Sequence, residues 1–214
     1  MDLKHYTYFR SSAAFRTRIA LNLKGLKPEA VFVHLRKGEQ NARSYTALNP
    51  QALVPTLVHD GNPIGGSLAI VEYLDEIVAE PALLPKDALG RARVRQIAYA
   101  VACDIHPINN LRVLNYLRAE LAQPEEKVQE WAKHWMHLGF AAIETLLARS
   151  KQTGKFCHGD TPTLADICLI PQLANARGAK LDLLAYPTLR RIEKTAYEMD
   201  AFTEALPKFQ PDVE

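Results

Sequence analysis

Two adjacent serines, Ser11 and Ser12, stand directly before a segment whose apolar residues recur every four positions, beginning with Phe15 and Ile19. This spacing is typical of one face of a helix, so one of the serines is expected to cap its first turn. The start of a helix presents unpaired N–H groups and the positive end of the helix dipole, which stabilise an anion such as a thiolate. A serine hydroxyl there can donate one more hydrogen bond, and Arg10 can hold a carboxylate through two. The alternative is that the serines only cap the helix and that Arg10 is solvated.

The composition sets limits on what these residues can do. The chain has 214 residues, which suits one large domain or two small ones. Its net charge of +2 gives no reason to expect nucleic acid or an anionic membrane as a partner. No apolar run approaches the roughly 20 residues that span a bilayer, and the first residues lack the apolar segment of a secretion signal. Because no secretion signal is visible, a reduced, cytoplasmic chain is expected. The three cysteines, Cys103, Cys157 and Cys168, are odd in number and have no CxxC spacing, and none of them is near the serine pair.

The first 80 residues carry the pattern that positions the serine pair. A strand at residues 3–8 precedes the helix, and Ala30–Leu35 reads as a second strand, so a β-α-β unit with a parallel pair is predicted. Residues 56–58 and a short run at Ile64 flank Asp60-Gly61, a dipeptide that predicts an antiparallel hairpin. Ser67 then opens another helix. The order β-α-β followed by β-β-α is the thioredoxin-like arrangement.

Pro55 stands immediately before the third predicted strand, where a proline is tolerated because it cannot donate to the ladder. If the Val54–Pro55 peptide is cis, the backbone of Val54 is turned outward and can pair with an extended peptide. The alternative is an ordinary trans proline. The thioredoxin-like order of elements favours the cis form.

The remainder of the chain predicts helices only. A linker rich in proline separates it from the first part, so the predicted division is residues 1–80, a linker at 81–90, and an all-helical domain at 91–214. Thr163 and Asp166 have the spacing of a capping box, which favours a structural role in starting a buried helix. The predicted helices cover residues 91–121 with an interruption at Pro107, 124–149, 161–177 and 188–202.

Polar residues interrupt the first of these helices. Asp104 and His106 could pair in a buried network, because a helix kinked by proline leaves carbonyl groups for such side chains. A lone histidine is more often a satisfied core residue than a ligand. Asn109-Asn110 and Arg112 beside it shift the balance toward a binding site.

Taken together, these segments resemble the glutathione transferases, and specifically the zeta class, which includes maleylacetoacetate and maleylpyruvate isomerases. The resemblance covers nearly the whole chain and is carried by YFRSSAAFRTRIALNLKG, ALNPQALVPTL, GGSLAIVEYLDE, CDIHPINNLRVLNYLR and GDTPTLADICLIPQ. It implies an α/β thioredoxin-like N-terminal domain that binds glutathione, an all-α C-terminal domain, and a cytoplasmic homodimer. It implies no metal.

The resemblance also implies roles for single residues. Ser11 is matched to the hydroxyl that faces the glutathione sulfur, with Ser12 beside it. Val54, before Pro55, is matched to the backbone that pairs with the cysteinyl part of glutathione, and Ser67 to the group that takes the γ-glutamyl carboxylate. The other expected glutathione contacts are Gln51, Gly66, His106 and Asn110. The expected cations for the substrate carboxylates are Arg10, Arg112 and Arg177.

The sequence departs from the zeta pattern in four places. Ala13 replaces a common cysteine, and Gly66 replaces a glutamine or glutamate, so one expected glutathione contact has no side chain. Gly178 and Leu111 stand where the isomerases carry arginine. Arg177 is adjacent but lies about 100° away around a helix. Fewer cations are therefore expected to hold a dicarboxylic substrate.

The resemblance implies a glutathione-dependent cis–trans isomerase of a maleyl keto acid, acting by thiolate addition, rotation about the resulting single bond, and elimination. One alternative is a general glutathione transferase that conjugates or dehalogenates small electrophiles, and Gly66, Leu111 and Gly178 favour it more than in a typical isomerase. Another is a non-catalytic glutathione-binding protein. A thiol-disulfide oxidoreductase is disfavoured because residues 10–18 contain no cysteine.

Overall fold

The computed structural model of the chain describes residues 2–214 and divides into two compact units. The first unit comprises residues 2–83 together with Tyr197–Glu214, and the second comprises Leu84–Ala196. By their contacts, residues 197–214 group with the first unit, whereas the predicted division places them in the helical domain at 91–214. The break after Leu83 falls inside the predicted linker at 81–90.

The first unit is built on a small mixed sheet. Its described residues contain four strands, β1 (Leu3–Thr7), β2 (Glu29–Phe32), β3 (Thr56–His59) and β4 (Asn62–Gly65). The strand order is β2-β1-β3-β4, with β1 parallel to β2 and antiparallel to β3, and with β3 antiparallel to β4. The sheet confirms the predicted β-α-β unit and the hairpin at Asp60-Gly61, and with them the thioredoxin-like order.

Helices on this unit connect the strands at the places that the sequence predicts. Ser11 is the N-cap of α1, and Gly25, at a φ of +65°, follows its C-cap residue Lys24. The left-handed conformation at this position favours glycine, which explains why the helix ends there. The helices are α1 (Ser12–Leu23), α2 (Arg43–Thr46) and α3 (Ser67–Ile77), with 3₁₀ turns at Leu35–Lys37 and Glu39–Asn41.

Helix α1 is buried on nearly all sides, not along one face as its spacing predicts. Arg16, Thr17 and Arg18 are buried together with the apolar residues of the helix. On the sheet side, the imidazole Nε2 of His5 lies 2.7 Å from Thr17 Oγ1, and another side packs against α3. The helix is therefore a central element of the first unit.

The second unit is helical, as the sequence predicts. Helix α4 begins inside the predicted linker, because Asp87 caps it by accepting a hydrogen bond from the Gly90 N–H at 2.7 Å. The helices of this unit are α4 (Ala88–Tyr99), α5 (Leu111–Ala119), α6 (Glu125–Ala148), α7 (Leu164–Gly178) and α8 (Pro187–Ala196).

Between α4 and α5 the chain forms a π-helical segment, Ala100–Ile105, followed by a 3₁₀ turn at Pro107–Asn109. This confirms the interruption at Pro107. Val101 and Ile105 of the π-helical segment are buried, but Asp104 is exposed. The prediction that Asp104 pairs with a histidine in a buried network is therefore wrong.

The capping box at the start of α7 is confirmed. The buried carboxylate of Asp166 accepts the Thr163 N–H at 2.8 Å and, through its other oxygen, the Cys157 N–H at 2.8 Å. Burial raises the pKa of the Cys157 thiol well above its usual value. Cys157 is thus held as a neutral thiol in the core, in agreement with a structural role for this segment.

The predicted helix at 188–202 is two helices. Helix α8 ends at Ala196, and α9 (Asp200–Thr203) begins after Met199, which supplies no capping side chain. The break lies where the chain passes from the second unit to the first. In the first unit Asn22 Nδ2 donates to the Ala201 carbonyl at 3.0 Å, and the Phe202 side chain is fully buried.

Candidate active site

The turn between β1 and α1 places the serine pair at the start of the helix. The Ser11 N–H donates to the Tyr8 carbonyl at 3.0 Å, and the Ser11 hydroxyl oxygen accepts the Ala14 N–H at 3.2 Å. Since the oxygen accepts this bond, the hydroxyl proton can be donated elsewhere. Ser12 is buried in the first turn of α1, where its backbone N–H adds to the positive end of the helix.

Arg10 is exposed on the same turn. Its guanidinium carbon lies 5.9 Å from the centre of the Phe9 ring. This contact is a cation–π interaction that orients the side chain while leaving its N–H groups in solvent. The turn thus combines an exposed arginine, a hydroxyl donor and a helix N-terminus within three successive residues.

The backbone of Val54 belongs to the same unit as this turn and is available to a ligand. The Val54–Pro55 peptide is cis, as the thioredoxin-like order predicts. The Val54 side chain packs in an apolar cluster with Tyr8 and Phe9 of the serine turn. Within residues 2–214 the Val54 N–H and carbonyl have no hydrogen-bond partner. The segment therefore offers one donor and one acceptor to an extended ligand.

The loop before Val54 is held by buried polar side chains. Asn49 Nδ2 donates to the Leu53 carbonyl at 2.9 Å, and the Tyr45 hydroxyl donates to the same carbonyl at 2.6 Å. Gln51 is exposed on this loop, and its N–H donates to Asn49 Oδ1 at 3.1 Å. Gln51 can therefore contact a ligand through its side chain while its backbone stays fixed.

A second helix N-terminus lies at Ser67. The hydroxyl oxygen of Ser67 accepts a hydrogen bond at 3.2 Å from the guanidinium of Arg16, which is 1% exposed. Gly66 precedes it at a φ of +88°, a conformation that favours glycine, and contributes no side chain. A buried guanidinium, a hydroxyl and the N-terminus of α3 together form a site suited to a carboxylate.

Arg16 is a candidate site residue that the sequence pattern did not predict. The four-residue spacing of Phe15 and Ile19 defined one apolar face, and a charged neighbour is ordinarily placed outside such a face. A signal was available in the segment FRTRIAL, where two arginines flank a threonine inside an otherwise apolar helix. Buried guanidinium groups need partners, so this pattern could have suggested a polar site beside α1.

The remaining predicted glutathione contacts lie in the second unit. His106 is half-buried and follows the π-helical segment, and its N–H donates to the Val101 carbonyl at 2.9 Å. Asn110 caps α5 by accepting the Arg112 N–H at 3.1 Å through its side-chain oxygen. This leaves the amide N–H groups of Asn110 available as donors. Arg112 is exposed on α5.

Arg177 is engaged by a carboxylate of its own unit. Its Nε donates to Glu193 at 3.1 Å, and its terminal nitrogen contacts the other oxygen of the same carboxylate. Glu193 is 4% exposed, so it requires a cation beside it. Substrate binding by Arg177 stays a prediction, and it would compete with this pair. At Gly178 an added Cβ meets no atom within 4 Å, so the position next to the pair is open.

Within residues 2–214 no group of three or more His, Cys, Asp and Glu side chains is placed to hold a metal ion. None of the described helices combines the length and the apolar character needed to cross a membrane. The three cysteines are unpaired by disulfides; Cys157 and Cys168 are buried, and Cys103 is exposed on the π-helical segment of the second unit. The serine turn therefore contains no thiol of the chain itself.

Comparison with known proteins identifies the class. Residues 10–77 match the glutathione S-transferase N-terminal domain and residues 129–210 match the glutathione S-transferase C-terminal domain. The two matches cover more than half of the chain; the first lies within the sheet-containing unit, and the second runs from α6 through α8 into the C-terminal residues. The chain belongs to the glutathione S-transferase family, as its sequence segments suggest.

Individual relatives indicate which members of this family the chain is similar to. The chain is 47% identical over 210 residues to maleylpyruvate isomerase from a Ralstonia species, covering 98% of this chain and 99% of the relative. A solved holo structure of maleyl pyruvate isomerase, described as a bacterial glutathione S-transferase in the zeta class, is similar to this chain with a TM-score of 0.97 and 47% identity. The match covers 99% of this chain and 100% of that chain. Maleylacetoacetate isomerase from Methylobacterium extorquens AM1, solved with bound malonate and glutathione, has a TM-score of 0.96, 41% identity, and coverage of 99% of each chain.

Proposed function

We propose that this chain is a glutathione-dependent cis–trans isomerase that converts a maleyl keto acid, maleylacetoacetate or maleylpyruvate, to its fumaryl form. The observation that carries the proposal is the geometry of Ser11. Its hydroxyl oxygen accepts the Ala14 N–H, which leaves a proton to donate to an anion at the start of α1. Because this turn contains no cysteine, the thiolate must come from a bound small molecule. The names of the similar proteins support the choice of reaction.

The first unit offers groups that fit the parts of glutathione. The Arg16–Ser67 pair at the N-terminus of α3 suits the γ-glutamyl carboxylate, since it combines a buried cation with helix N–H groups. The outward backbone of Val54, before Pro55, suits the cysteinyl peptide group. Further contacts would come from Gln51 and Gly66 in the same unit and from His106 and Asn110 in the second.

Each residue of the turn has a separate part in the reaction. When bound, glutathione supplies a thiolate that adds reversibly to the maleyl double bond, so that the carbon–carbon bond can rotate before elimination restores it. Ser11, with the N–H groups of Ser12 and the helix start, lowers the pKa of that thiol by stabilising its anion. Arg10 binds a substrate carboxylate and stabilises the enolate charge that develops during addition. Arg112 and Arg177 are the further cations that we propose for the second carboxylate.

A general glutathione transferase acting on small electrophiles is the second candidate. It is favoured by the second unit, where Glu193 holds Arg177 and the position at Gly178 is open. A substrate with one carboxylate, such as a halogenated acid, needs fewer cations than a maleyl dicarboxylate. This reaction would displace a leaving group and consume glutathione, whereas isomerisation regenerates it.

One assay separates these functions. The protein is mixed with maleylpyruvate or maleylacetoacetate, with and without glutathione, while the enol absorbance and the free thiol are followed together. Fumaryl product that appears only with catalytic amounts of glutathione, and without thiol loss, is the expected result. Thiol loss with a chlorinated acid and no turnover of the maleyl acids would establish the second candidate. Binding of glutathione without either reaction would indicate a non-catalytic binding protein.

We also propose that the protein is a homodimer in the cytoplasm that serves the catabolism of aromatic compounds. These statements rest on the family and on the names of its relatives. The chain mass is 24.0 kDa, so light scattering of the purified protein is expected to give twice 24.0 kDa. A concentration-independent mass of 24.0 kDa would refute the homodimer.

A further inference from the structure

The C-terminal residues return to the turn that carries Ser11. The Phe9 N–H donates to a carboxylate oxygen of Asp212 at 2.9 Å, across 203 residues of sequence. Phe9 lies two positions before Ser11 and is itself buried. A hydrogen bond between a carboxylate and a buried backbone N–H is stronger than one between neutral groups. Asp212 therefore fixes the Tyr8–Phe9 peptide, one residue before Arg10.

The same turn is held on its carbonyl side by Arg18. The guanidinium of Arg18 donates to the Tyr8 carbonyl at 3.3 Å and to the Phe9 carbonyl at 3.2 Å. Its Nε donates to the Ala205 carbonyl at 3.0 Å, so the C-terminal segment is tied to this arginine as well. Burial lowers the pKa of Arg18 to about 10, and the nearby Asp212 opposes that shift. The guanidinium consequently remains charged at neutral pH.

These contacts leave little freedom to the peptide groups before the serine. The donor of Phe9 is held by Asp212 and the acceptors of Tyr8 and Phe9 are held by Arg18, while the Ser11 N–H closes the turn on the Tyr8 carbonyl. A hydroxyl that must meet a sulfur anion needs its position fixed to a fraction of an ångström. The C-terminal segment supplies part of that restraint.

We propose that Asp212 is a positioning residue for Ser11, acting through the Phe9 peptide, and that the C-terminal segment thereby forms part of the catalytic apparatus. The catalytic part of this inference rests on the function proposed above. Asp212 is not expected to contact substrate or glutathione. Its main effect passes through one backbone hydrogen bond, and its charge near Arg18 is a separate contribution, so substitutions that keep or remove the acceptor oxygen distinguish the two.

Three variants test the proposal, each in the full chain. Asp212→Ala removes the acceptor, Asp212→Asn keeps an acceptor oxygen but removes the charge, and Glu214→Ala is the matched control. Glu214 is a carboxylate on the same segment, but it contacts His34 at 2.8 Å and Lys37 at 3.4 Å and not the Phe9 N–H. Glu214→Ala lies at an exposed position and is expected to leave the melting temperature nearly unchanged, whereas Asp212→Ala leaves the N–H of the buried Phe9 without its acceptor and is expected to lower it modestly.

The first readout is the thiolate absorbance of bound glutathione as a function of pH. In Asp212→Ala the apparent pKa of the bound thiol is expected to rise, and kcat is expected to fall by about tenfold with a smaller change in KM, because orientation and not affinity is lost. Asp212→Asn is expected to recover most of this loss, and Glu214→Ala to match the wild type. Equal damage in Asp212→Asn and Asp212→Ala would show that charge matters and would overturn the proposal, as would a fully active Asp212→Ala.

The second readout needs no glutathione. Hydrogen exchange of the Phe9 amide is expected to be about tenfold faster in Asp212→Ala than in the wild type or Glu214→Ala, since the amide has lost its acceptor. An unchanged exchange rate would refute the contact itself. If the wild type bound no glutathione, the proposed function would fail and the catalytic part of this inference with it, whereas the exchange rate would still decide whether Asp212 holds the turn.

Discussion

Ser11 caps α1, and the proposed mechanism gives its hydroxyl a second role that substitution can separate from the first. Its hydroxyl oxygen accepts the Ala14 N–H and so stabilises the helix, while its hydroxyl proton is available to a bound thiolate. A loss of activity in a serine variant could therefore arise from a damaged helix or from a missing donor. The distinction matters because the first effect is general and the second is the basis of the proposed mechanism.

Replacing Ser11 with alanine is expected to reduce isomerase activity by more than about tenfold, equivalent to about 1.4 kcal/mol of barrier. It should also cost about 1 kcal/mol of stability through loss of the cap. Ser11→Asn is the matched control, because asparagine caps a helix as well as serine but has no hydroxyl. It should restore the stability in urea unfolding without restoring kcat. Wild-type activity in the asparagine variant would remove the Ser11 hydroxyl from the mechanism.

Residues at helix starts were predictable, whereas buried cations were not. Ser11 and Ser67 were predictable because a serine at the start of a periodic apolar segment is a local signal for a helix start, and Ser11 is indeed the N-cap of α1. Arg16 and Arg18 gave only a weak signal, two arginines flanking a threonine in an otherwise apolar helix, because their burial depends on elements that are distant in sequence. Asp212 is the extreme case, because nothing near it in the chain indicates that it meets Phe9.

At the scale of the elements, a hydrogen bond from the neutral imidazole of His5 links β1 to α1. The Thr17 hydroxyl donates to the Ala14 carbonyl, so it must accept its other bond from His5 Nε2–H at 2.7 Å. Burial lowers the pKa of His5 from 6.5 to about 3, with a further contribution from the Arg18 charge. Protonation of His5 is therefore much less favourable in the folded state than in the unfolded state.

This histidine predicts a specific loss of stability in acid. The folded pKa of about 3 lies below the unfolded value of 6.5, so stability is lost as the pH falls below 6.5 and the unfolded chain takes up the proton. Between pH 7 and pH 5 the loss due to this group is about 2 kcal/mol. Urea unfolding at both pH values should show it in the wild type, whereas His5→Gln, which cannot titrate, should lack it. An equal pH dependence in the two proteins would contradict the assignment.

The π-helical segment and α6 approach each other at a glycine. A Cβ added to Gly139 would lie 2.2 Å from Ile105 Cδ1, so Gly139→Ala is expected to destabilise the protein by about 1–3 kcal/mol through overpacking. Gly178, at the end of α7, is the matched control because its added Cβ meets nothing. Gly178→Ala should be neutral or stabilising by up to about 1 kcal/mol. Thermal unfolding of the two variants measures the difference, and the reverse order would contradict the close approach.

Local patterns account for most of the elements that the sequence predicts correctly. The Asp60-Gly61 turn and the Thr163–Asp166 capping box each depend on residues only a few positions apart. The break between α8 and α9 was missed because Met199 offers no capping signal. The chain turns there to reach its other unit, which is a property of tertiary structure and not of local sequence.

On the scale of the whole molecule, the first unit is completed by the end of the chain. A chain that ends at Ala196 would lose the fully buried Phe202 and the Ala205 carbonyl that Arg18 requires. We expect this truncation to cost more than about 3 kcal/mol of unfolding free energy, as for removal of a large core side chain. A chain that ends at Gln210 keeps both groups and is the control. Urea unfolding of the two proteins should differ accordingly, and equal midpoints would show that the segment is dispensable for stability.

Helix α5 differs from every neighbouring helix of its unit in having no buried residue among Leu111–Ala119. Little apolar contact is lost when this segment opens, so its local unfolding requires far less free energy than that of α7, which is buried along most of its length. A protease acts on segments that can open to fit its cleft. The first cut made by a dilute protease in the native protein should therefore fall in α5, near Tyr116, while α7 remains intact.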